Sequence, residues 1–298
     1  MKINEKICDY LTFPTTFEGY KWYKPILVFI IGFIITLILS GIVVFVFLKI
    51  SGIESLHSVL GGGYEALDSQ MGLLFSDLLI IIILPSLYIA TKIVKDRPFS
   101  SYSSSRGGWN FKLYLKALII PLTLFIIYEI IDTAIKGPKG TYHFSILFFI
   151  MTLITVPLQC IAEEYVYRGL IMQTFGSWFK IPVLAIFIQS VIFSLSHSYN
   201  GLGLIEILIT GFALGFFTWK TNGIEVSSAI HTANNFSISL FVMLGLQYST
   251  SNPSLSDTAA TIVFEIILFI IMYYVGKKTD WFGEIPENSQ NTGLFKRK

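Results

Sequence analysis

Charged residues are scarce in this chain. Asp, Glu, Lys and Arg make up 13% of the 298 residues, whereas hydrophobic residues make up 53%, and the mean hydropathy is +0.68. In a typical soluble domain about a quarter of the residues are charged. The composition therefore excludes an ordinary soluble domain and predicts an all-α fold, a polytopic bundle of membrane helices.

Cysteine is also scarce. Cys8 and Cys160 are the only two, and they form neither a disulfide framework nor a CxxC metal signature, so both are expected to be free thiols. The first 24 residues mix polar and aromatic side chains, and the apolar run after them is too long for the core of a secretory signal peptide. We therefore expect no signal peptide.

The apolar segments predict about eight transmembrane helices. The fourth, from Phe144 to about Phe175, would be roughly 48 Å long as one helix, so it must project beyond the bilayer or bend, and Pro157 is the predicted bend. The other segments run over about 25–48, 71–90, 117–131, 181–196, 202–219, 224–246 and 259–275.

Basic residues alternate from loop to loop. If the N-terminus is cytoplasmic, all 21 Lys and Arg residues except Lys49, Lys136 and Lys139 fall on the cytoplasmic side. This predicts a multi-pass protein of the cell membrane with both termini in the cytoplasm. We divide the chain into residues 1–140, an interfacial segment with three spans, a catalytic core at 141–280 and a cytoplasmic tail at 281–298.

Charges reappear inside the fourth segment, where Glu163, Glu164 and Arg168 interrupt an apolar run. Charged groups are costly at such a place, which favours a functional role. On a helix Glu164 and Arg168 are four residues apart and are predicted to pair. Glu163 is rotated by about 100° and is free for another role. The alternative is an ion pair that only orients the helix.

Two later segments carry further polar groups. His197 follows Phe193 at the end of the fifth segment, and His231 and Asn235 share one face of the seventh. Because the fourth and fifth segments form an antiparallel hairpin, Glu163 and His197 are predicted to lie at equal depth. A lone histidine on an apolar helix is more typical of a helix contact, but the spacing predicts one shared site.

Three strings of residues, in this order and at about this separation, resemble the motifs of the CPBP family of intramembrane proteases. The strings are EExxxR (Glu163, Glu164, Arg168), FxxxH (Phe193, His197) and HxxxN (His231, Asn235). The family includes the eukaryotic CAAX prenyl endopeptidase and microbial proteins linked to bacteriocin processing and self-immunity. The resemblance covers about residues 144–240 and says nothing about residues 1–140.

These residue types support the hydrolysis of a peptide bond by an activated water. Glu163 is the predicted general base, and His197 is predicted to bind or polarise the water. His231 and Asn235 are predicted to donate hydrogen bonds to the oxyanion. The whole predicted site consists of Glu163, Glu164, His197, His231 and Asn235 as catalytic residues, with Arg168 and Phe193 in support.

Two mechanisms stay open at this stage. In one, Glu163, His197 and His231 bind a divalent metal such as zinc, which lowers the pKa of its bound water. In the other, glutamate and histidine activate the water without a metal. The HExxH signature of zinc proteases is absent, but a sparse set of Glu and His ligands does not require it.

The predicted partners are the lipid bilayer and a membrane-embedded peptide or protein substrate, with no nucleic acid and with the oligomeric state left open. The resemblance implies a prenylated CAAX-type substrate or a bacteriocin or signal precursor. Two alternatives differ in class. One is a non-proteolytic protein of bacteriocin immunity or membrane binding, and the other is a proton- or cation-coupled carrier, since intramembrane acids and histidines also form proton relays.

Overall fold

The computed structural model describes residues 9–51, 70–248, 252–279 and 281, and the predicted helix bundle is confirmed there. These residues contain no strand beyond a single bridge between Ser104 and Gly223. The predicted tail 281–298 lies outside the described residues except for Trp281. The helices are α1 (Lys24–Ser51), α2 (Gln70–Ile81), α3 (Ile83–Val94), α4 (Ser100–Ser103), α5 (Phe111–Lys136), α6 (Ile146–Glu164), a π-helix (Tyr165–Met172), α7 (Gln173–Phe179), α8 (Pro182–Leu195), α9 (Gly201–Thr221), α10 (Glu225–Met243) and α11 (Leu255–Lys278).

Six helical stretches of the described chain are long and apolar enough to cross a membrane. The two other predicted spans differ from them for separate reasons. α8 has only 14 residues, and α10 is a more polar helix whose side chains are mostly buried. A polar helix inside the bundle can carry a site that lipid does not reach. The six stretches are Lys24–Ile50, Gln70–Val94, Phe111–Lys136, Ile146–Phe179, Gly201–Thr221 and Leu255–Lys278.

The long fourth segment changes its helix geometry later than at the predicted bend. α6 continues through Pro157, and the π-helical turns begin at Tyr165, directly after the two glutamates. The segment then continues as α7 to Phe179, which gives a stretch of 34 residues. A π-helix within an α-helix is uncommon and is frequently found at functional sites. Here it bears Arg168.

Contacts between helix ends agree with the alternation predicted from the loops. The start of α1 meets the end of α3, where Lys24 Nζ donates to Lys95 O at 3.1 Å. At the other side of the bundle the end of α5 meets the start of α11, where Lys136 pairs with Asp257 at 2.6 Å. We call the side that carries Lys24, Lys95 and Arg106 the basic end. Which face of the membrane it meets stays a prediction.

Candidate active site

The centre of the site is His231 on α10, which lies between the two glutamates at the end of α6. Its Nδ1 is 3.0 Å from Glu164 Oε1, and its Nε2 is 3.6 Å from Glu163 Oε2. Glu164 is completely buried, and His231 and Glu163 are only 6% and 9% exposed. A carboxylate only accepts hydrogen bonds, so the Nδ1 of His231 carries a proton and its Nε2 faces Glu163.

Arg168 compensates the charge of Glu164. The predicted ion pair is present, with Arg168 Nη1 at 2.8 Å from Glu164 Oε1 and both side chains completely buried. The second guanidinium nitrogen, Nη2, donates to Gly211 O on α9 at 3.3 Å, and the guanidinium lies 4.4 Å from the centre of the Phe193 ring. Because a buried carboxylate needs such a partner, the pair keeps Glu164 as an acceptor for His231.

Gln159 joins the site, although none of the three motifs contains it. Its Nε2 donates to Glu163 Oε1 at 2.8 Å, and its Oε1 accepts from Asn235 Nδ2 at 3.1 Å. Gln159 thus connects Asn235 on α10 to Glu163 on α6. The signal in the sequence is the spacing of four residues from Gln159 to Glu163, which places both on one helix face.

The ring of Phe193 on α8 is in contact with both histidines. Its centre lies 4.8 Å from that of His197 and 5.9 Å from that of His231. Tyr167 on the π-helix packs edge-on against the same ring at 4.9 Å, and its hydroxyl donates to Ser196 at 2.7 Å. These contacts place the FxxxH string beside the π-helix, as the predicted hairpin requires.

His197 lies just beyond α8, which ends at Leu195, and its side chain is partly exposed. Its Nδ1 is 2.7 Å from Phe193 O, and since a carbonyl only accepts, that nitrogen is the donor. In the neutral ring the Nε2 of His197 is then the acceptor. The structure shows no direct bond from His197 to Glu163, so it brings His197 to the edge of the site rather than into the contact between Glu163 and His231.

The three metal ligands considered above do not form one cluster in the described residues. Glu163 and His231 lie together, but no three His, Cys, Asp or Glu side chains of the described chain form a group that could hold a metal ion. A structural or catalytic zinc site takes at least three protein ligands. Whether the protein uses a metal stays a prediction, and the mechanism proposed below uses only side chains of this chain.

The segment before α1 packs on the π-helix. Tyr10 is completely buried, and its hydroxyl lies 2.7 Å from Tyr102 O and 3.4 Å from Arg168 O. Burial raises the pKa of this hydroxyl well above its ordinary value, so it stays protonated and donates. Arg97 Nη2 donates to Gly169 O at 3.2 Å. Two groups from outside the π-helix thus satisfy carbonyls next to the Arg168 side chain.

One stretch of the chain is similar to a known protein family. Residues 144–237 match the model of a family described as Type II CAAX prenyl endopeptidase Rce1-like. A curated relative, the uncharacterized protein YyaK of Bacillus subtilis (strain 168), is 28% identical over 187 residues, which are 59% of this chain and 62% of the relative. The match therefore spans less than two thirds of that relative's length. No solved structure matches the chain.

The matched region contains the complete contact network from Gln159 to Asn235. The resemblance inferred from the three motifs is confirmed, because residues 144–237 match the model of the Rce1-like family of CAAX prenyl endopeptidases.

Proposed function

We propose that this protein is an intramembrane endopeptidase that hydrolyses a peptide bond of a membrane-associated substrate with a water activated by Glu163. The observation that carries the proposal is the buried contact of Glu163 with His231, within a domain of a protease family. Gln159 holds one oxygen of the Glu163 carboxylate, and the other oxygen faces His231. A positioned carboxylate of this kind is suited to general-base chemistry.

In the proposed reaction Glu163 accepts a proton from water while the water oxygen bonds to the scissile carbonyl carbon. The carbon–nitrogen bond then breaks, and Glu163 returns the proton to the leaving nitrogen. Neutral His197, whose Nδ1 contacts Phe193 O, orients the water by accepting its second hydrogen at Nε2. Glu163 thus serves as base and then as acid, and the hydrolysis needs no further reactant.

The oxyanion that forms on the carbonyl needs hydrogen-bond donors. The proposal gives this role to Asn235, whose Nδ2 uses only one of its two hydrogens on Gln159, and to His231 when Nε2 also carries a proton. Glu164 fixes the orientation of the His231 ring through Nδ1, and Arg168 keeps Glu164 ionised. Each oxyanion donor contributes about 3–4 kcal/mol in enzymes of this type of chemistry.

The test is cleavage by the purified protein in detergent of two quenched fluorescent peptides. One is a farnesylated CAAX-type peptide, and the other is a bacteriocin-type precursor peptide. We expect Glu163→Gln to reduce cleavage by about 10²- to 10⁴-fold, because the amide cannot act as a base. Glu129→Gln is the matched control, since Glu129 on α5 is equally buried and lies outside the site. Its cleavage rate should be that of the unchanged protein.

The two peptides separate the substrate classes, and a chelator arm tests the metal-free route. Cleavage that persists in chelator agrees with the proposed mechanism, and its loss, restored by added zinc, would contradict it. A Glu163→Gln protein that still cuts at the normal rate would falsify the role of Glu163. If the folded protein binds either peptide without cutting it, the result supports a non-proteolytic binding protein and contradicts the protease.

A further inference from the structure

A groove at the basic end is lined by cations from three separate parts of the chain. Its volume is about 580 Å³. The loop before α5 contributes Arg106, the first turns of α5 contribute Lys112 and Lys116, and the end of α11 contributes Lys278. The remaining lining residues are Asn110, Leu113, Thr279 and Trp281.

No carboxylate lines this groove within the described part of the chain. Glu225 lies behind it, where its carboxylate accepts a hydrogen bond from Asn110 N at 2.8 Å and is buried. Lys112 and Lys116 are four residues apart on one helix face, an arrangement in which like charges repel. An anion between the cations relieves that repulsion, so the charge pattern favours an anionic ligand.

One cation of the groove is held in place before any ligand arrives. Arg106 Nη1 donates to Trp281 O at 2.9 Å and to Thr221 O at 3.3 Å. The Trp281 side chain is 7% exposed and packs in the core cluster with Leu113 and Met272. The groove therefore has a rigid wall, which lowers the entropic cost of binding.

The two helices that line the groove, α5 and α11, also carry exposed apolar side chains. On α5 these are Phe111, Leu115 and Ile119, which are 60%, 46% and 66% exposed and follow one face at a spacing of four. On α11 Tyr274 and Ile270, at 61% and 60% exposure, follow Lys278 at the same spacing. A free inorganic anion would contact only the cations of the groove. A lipid with an anionic headgroup and acyl chains would contact both the cations and the exposed apolar side chains.

We propose that this groove binds the headgroup of an anionic phospholipid, with its acyl chains along α5 and α11. Membrane proteins generally carry an excess of basic residues at one end, and this excess accounts for the positive charge of the groove. It does not account for the convergence of cations from three segments on one groove between two helices that also carry exposed apolar side chains. The proposal is independent of proteolytic activity, so either can fail without the other.

The experiment measures binding of fluorescent phosphatidylglycerol to the full-length protein in detergent, with fluorescent phosphatidylcholine as the zwitterionic probe. The groove variant is Lys112→Gln/Lys116→Gln. The control is Lys21→Gln/Lys92→Gln, which removes the same charge from exposed lysines of the basic end that do not line the groove. Thermal unfolding of each variant shows whether it is folded.

We expect the groove variant to bind phosphatidylglycerol at least tenfold more weakly and the control to bind within twofold of the unchanged protein. Phosphatidylcholine should bind poorly, and millimolar inorganic phosphate should not displace the anionic lipid. Equal weakening in both double variants would overturn the proposal in favour of general surface charge. Full displacement by phosphate would overturn it in favour of a free-anion site, and absence of binding would overturn it outright.

Discussion

Gln159 shows how a residue outside the motifs completes the site. It donates to Glu163 and accepts from Asn235, so the carboxylate on α6 and the amide on α10 are joined through one side chain. A glutamine is neutral and its amide both donates and accepts, which lets it connect an acceptor to a donor without adding charge. The orientation of Glu163 therefore depends on α10 as well as on its own helix.

Gln159→Leu should lower kcat by roughly 10- to 100-fold, since a hydrogen bond to a charged group contributes about 1.5–3 kcal/mol. KM should change little, because Gln159 acts through Glu163. The measurement is steady-state cleavage of whichever peptide the unchanged protein cuts faster. It is made on Gln159→Leu, on Asn235→Leu and on the variant with both substitutions, which together form a double-mutant cycle. Because the residues form one chain of hydrogen bonds, their effects should not add. Additive effects would show that Gln159 and Asn235 act separately.

Arg168→Met should destabilise the protein by about 3–5 kcal/mol, because it leaves Glu164 buried and unpaired. Adding Glu164→Gln to this variant should restore most of the stability, since no uncompensated charge is then left. Cleavage should stay low in the double variant because His231 Nδ1 has lost its ionised acceptor. Thermal unfolding and the cleavage assay check the two parts. If the double variant is as unstable as Arg168→Met, the unpaired charge of Glu164 is not the cause of the destabilisation.

The π-helix is the element that sets the position of Arg168. Its turns follow α6 without a loop, and its carbonyls at Arg168 and Gly169 are within hydrogen-bond reach of Tyr10 and Arg97. It also packs closely on α4, the short helix that carries Tyr102. An added Cβ on Gly169 would lie 2.8 Å from Tyr102 O, which is too close for an unshifted backbone. Only glycine allows this approach.

Gly169→Ala should therefore destabilise the protein by about 1–3 kcal/mol, the usual cost of overpacking. It should also reduce cleavage, because a displaced backbone at residue 169 moves the neighbouring Arg168 and, with it, the ion pair to Glu164. Gly41→Ala is the matched control: Gly41 lies in α1, where nothing is within 4 Å of an added Cβ, so alanine should be neutral or mildly stabilising there. Thermal unfolding and cleavage of both variants give the comparison. Equal behaviour of the two variants would contradict the close packing on Tyr102.

The whole molecule has two chemically different ends. One carries the start of α1, the loop with Arg106 and the end of α11, and the other carries the contact of Lys136 with Asp257. The candidate site lies between them, on buried faces of α6 and α10. The bundle thus separates its exposed apolar surface from a buried site that holds two acids, an arginine and a histidine.

The distribution of basic loops predicts that both termini face the cytoplasm. Green fluorescent protein fused to either terminus should therefore fluoresce. Alkaline phosphatase fused after Lys139 should be active, because that loop is expected on the outer side. The reverse pattern would invert the predicted orientation and place the basic end on the outer face. Fusion of the phosphatase after Arg106 provides the inactive control.

Part of this structure could be predicted from the periodicity and spacing of residues in the sequence. Composition and apolar runs predicted the helix bundle, and the four-residue spacing from Glu164 to Arg168 predicted an ion pair that is present. The position of the π-helix was not predicted, because the sequence analysis assigned the irregularity to Pro157. Helix geometry there depends on groups from elsewhere, such as Tyr10 and Arg97, which local sequence does not reveal.

By itself the sequence determined the class of protein, the residue types of the site and the pairs within one helix, because these depend on composition and on a fixed number of residues per turn. Only the tertiary structure decided that His231, 67 residues from Glu164, sits between both glutamates, that Gln159 connects Asn235 to Glu163, and that His197 stays at the edge. The physical reason is that contacts between helices depend on how their side chains pack, and helical periodicity defines the face of each helix but not its partner.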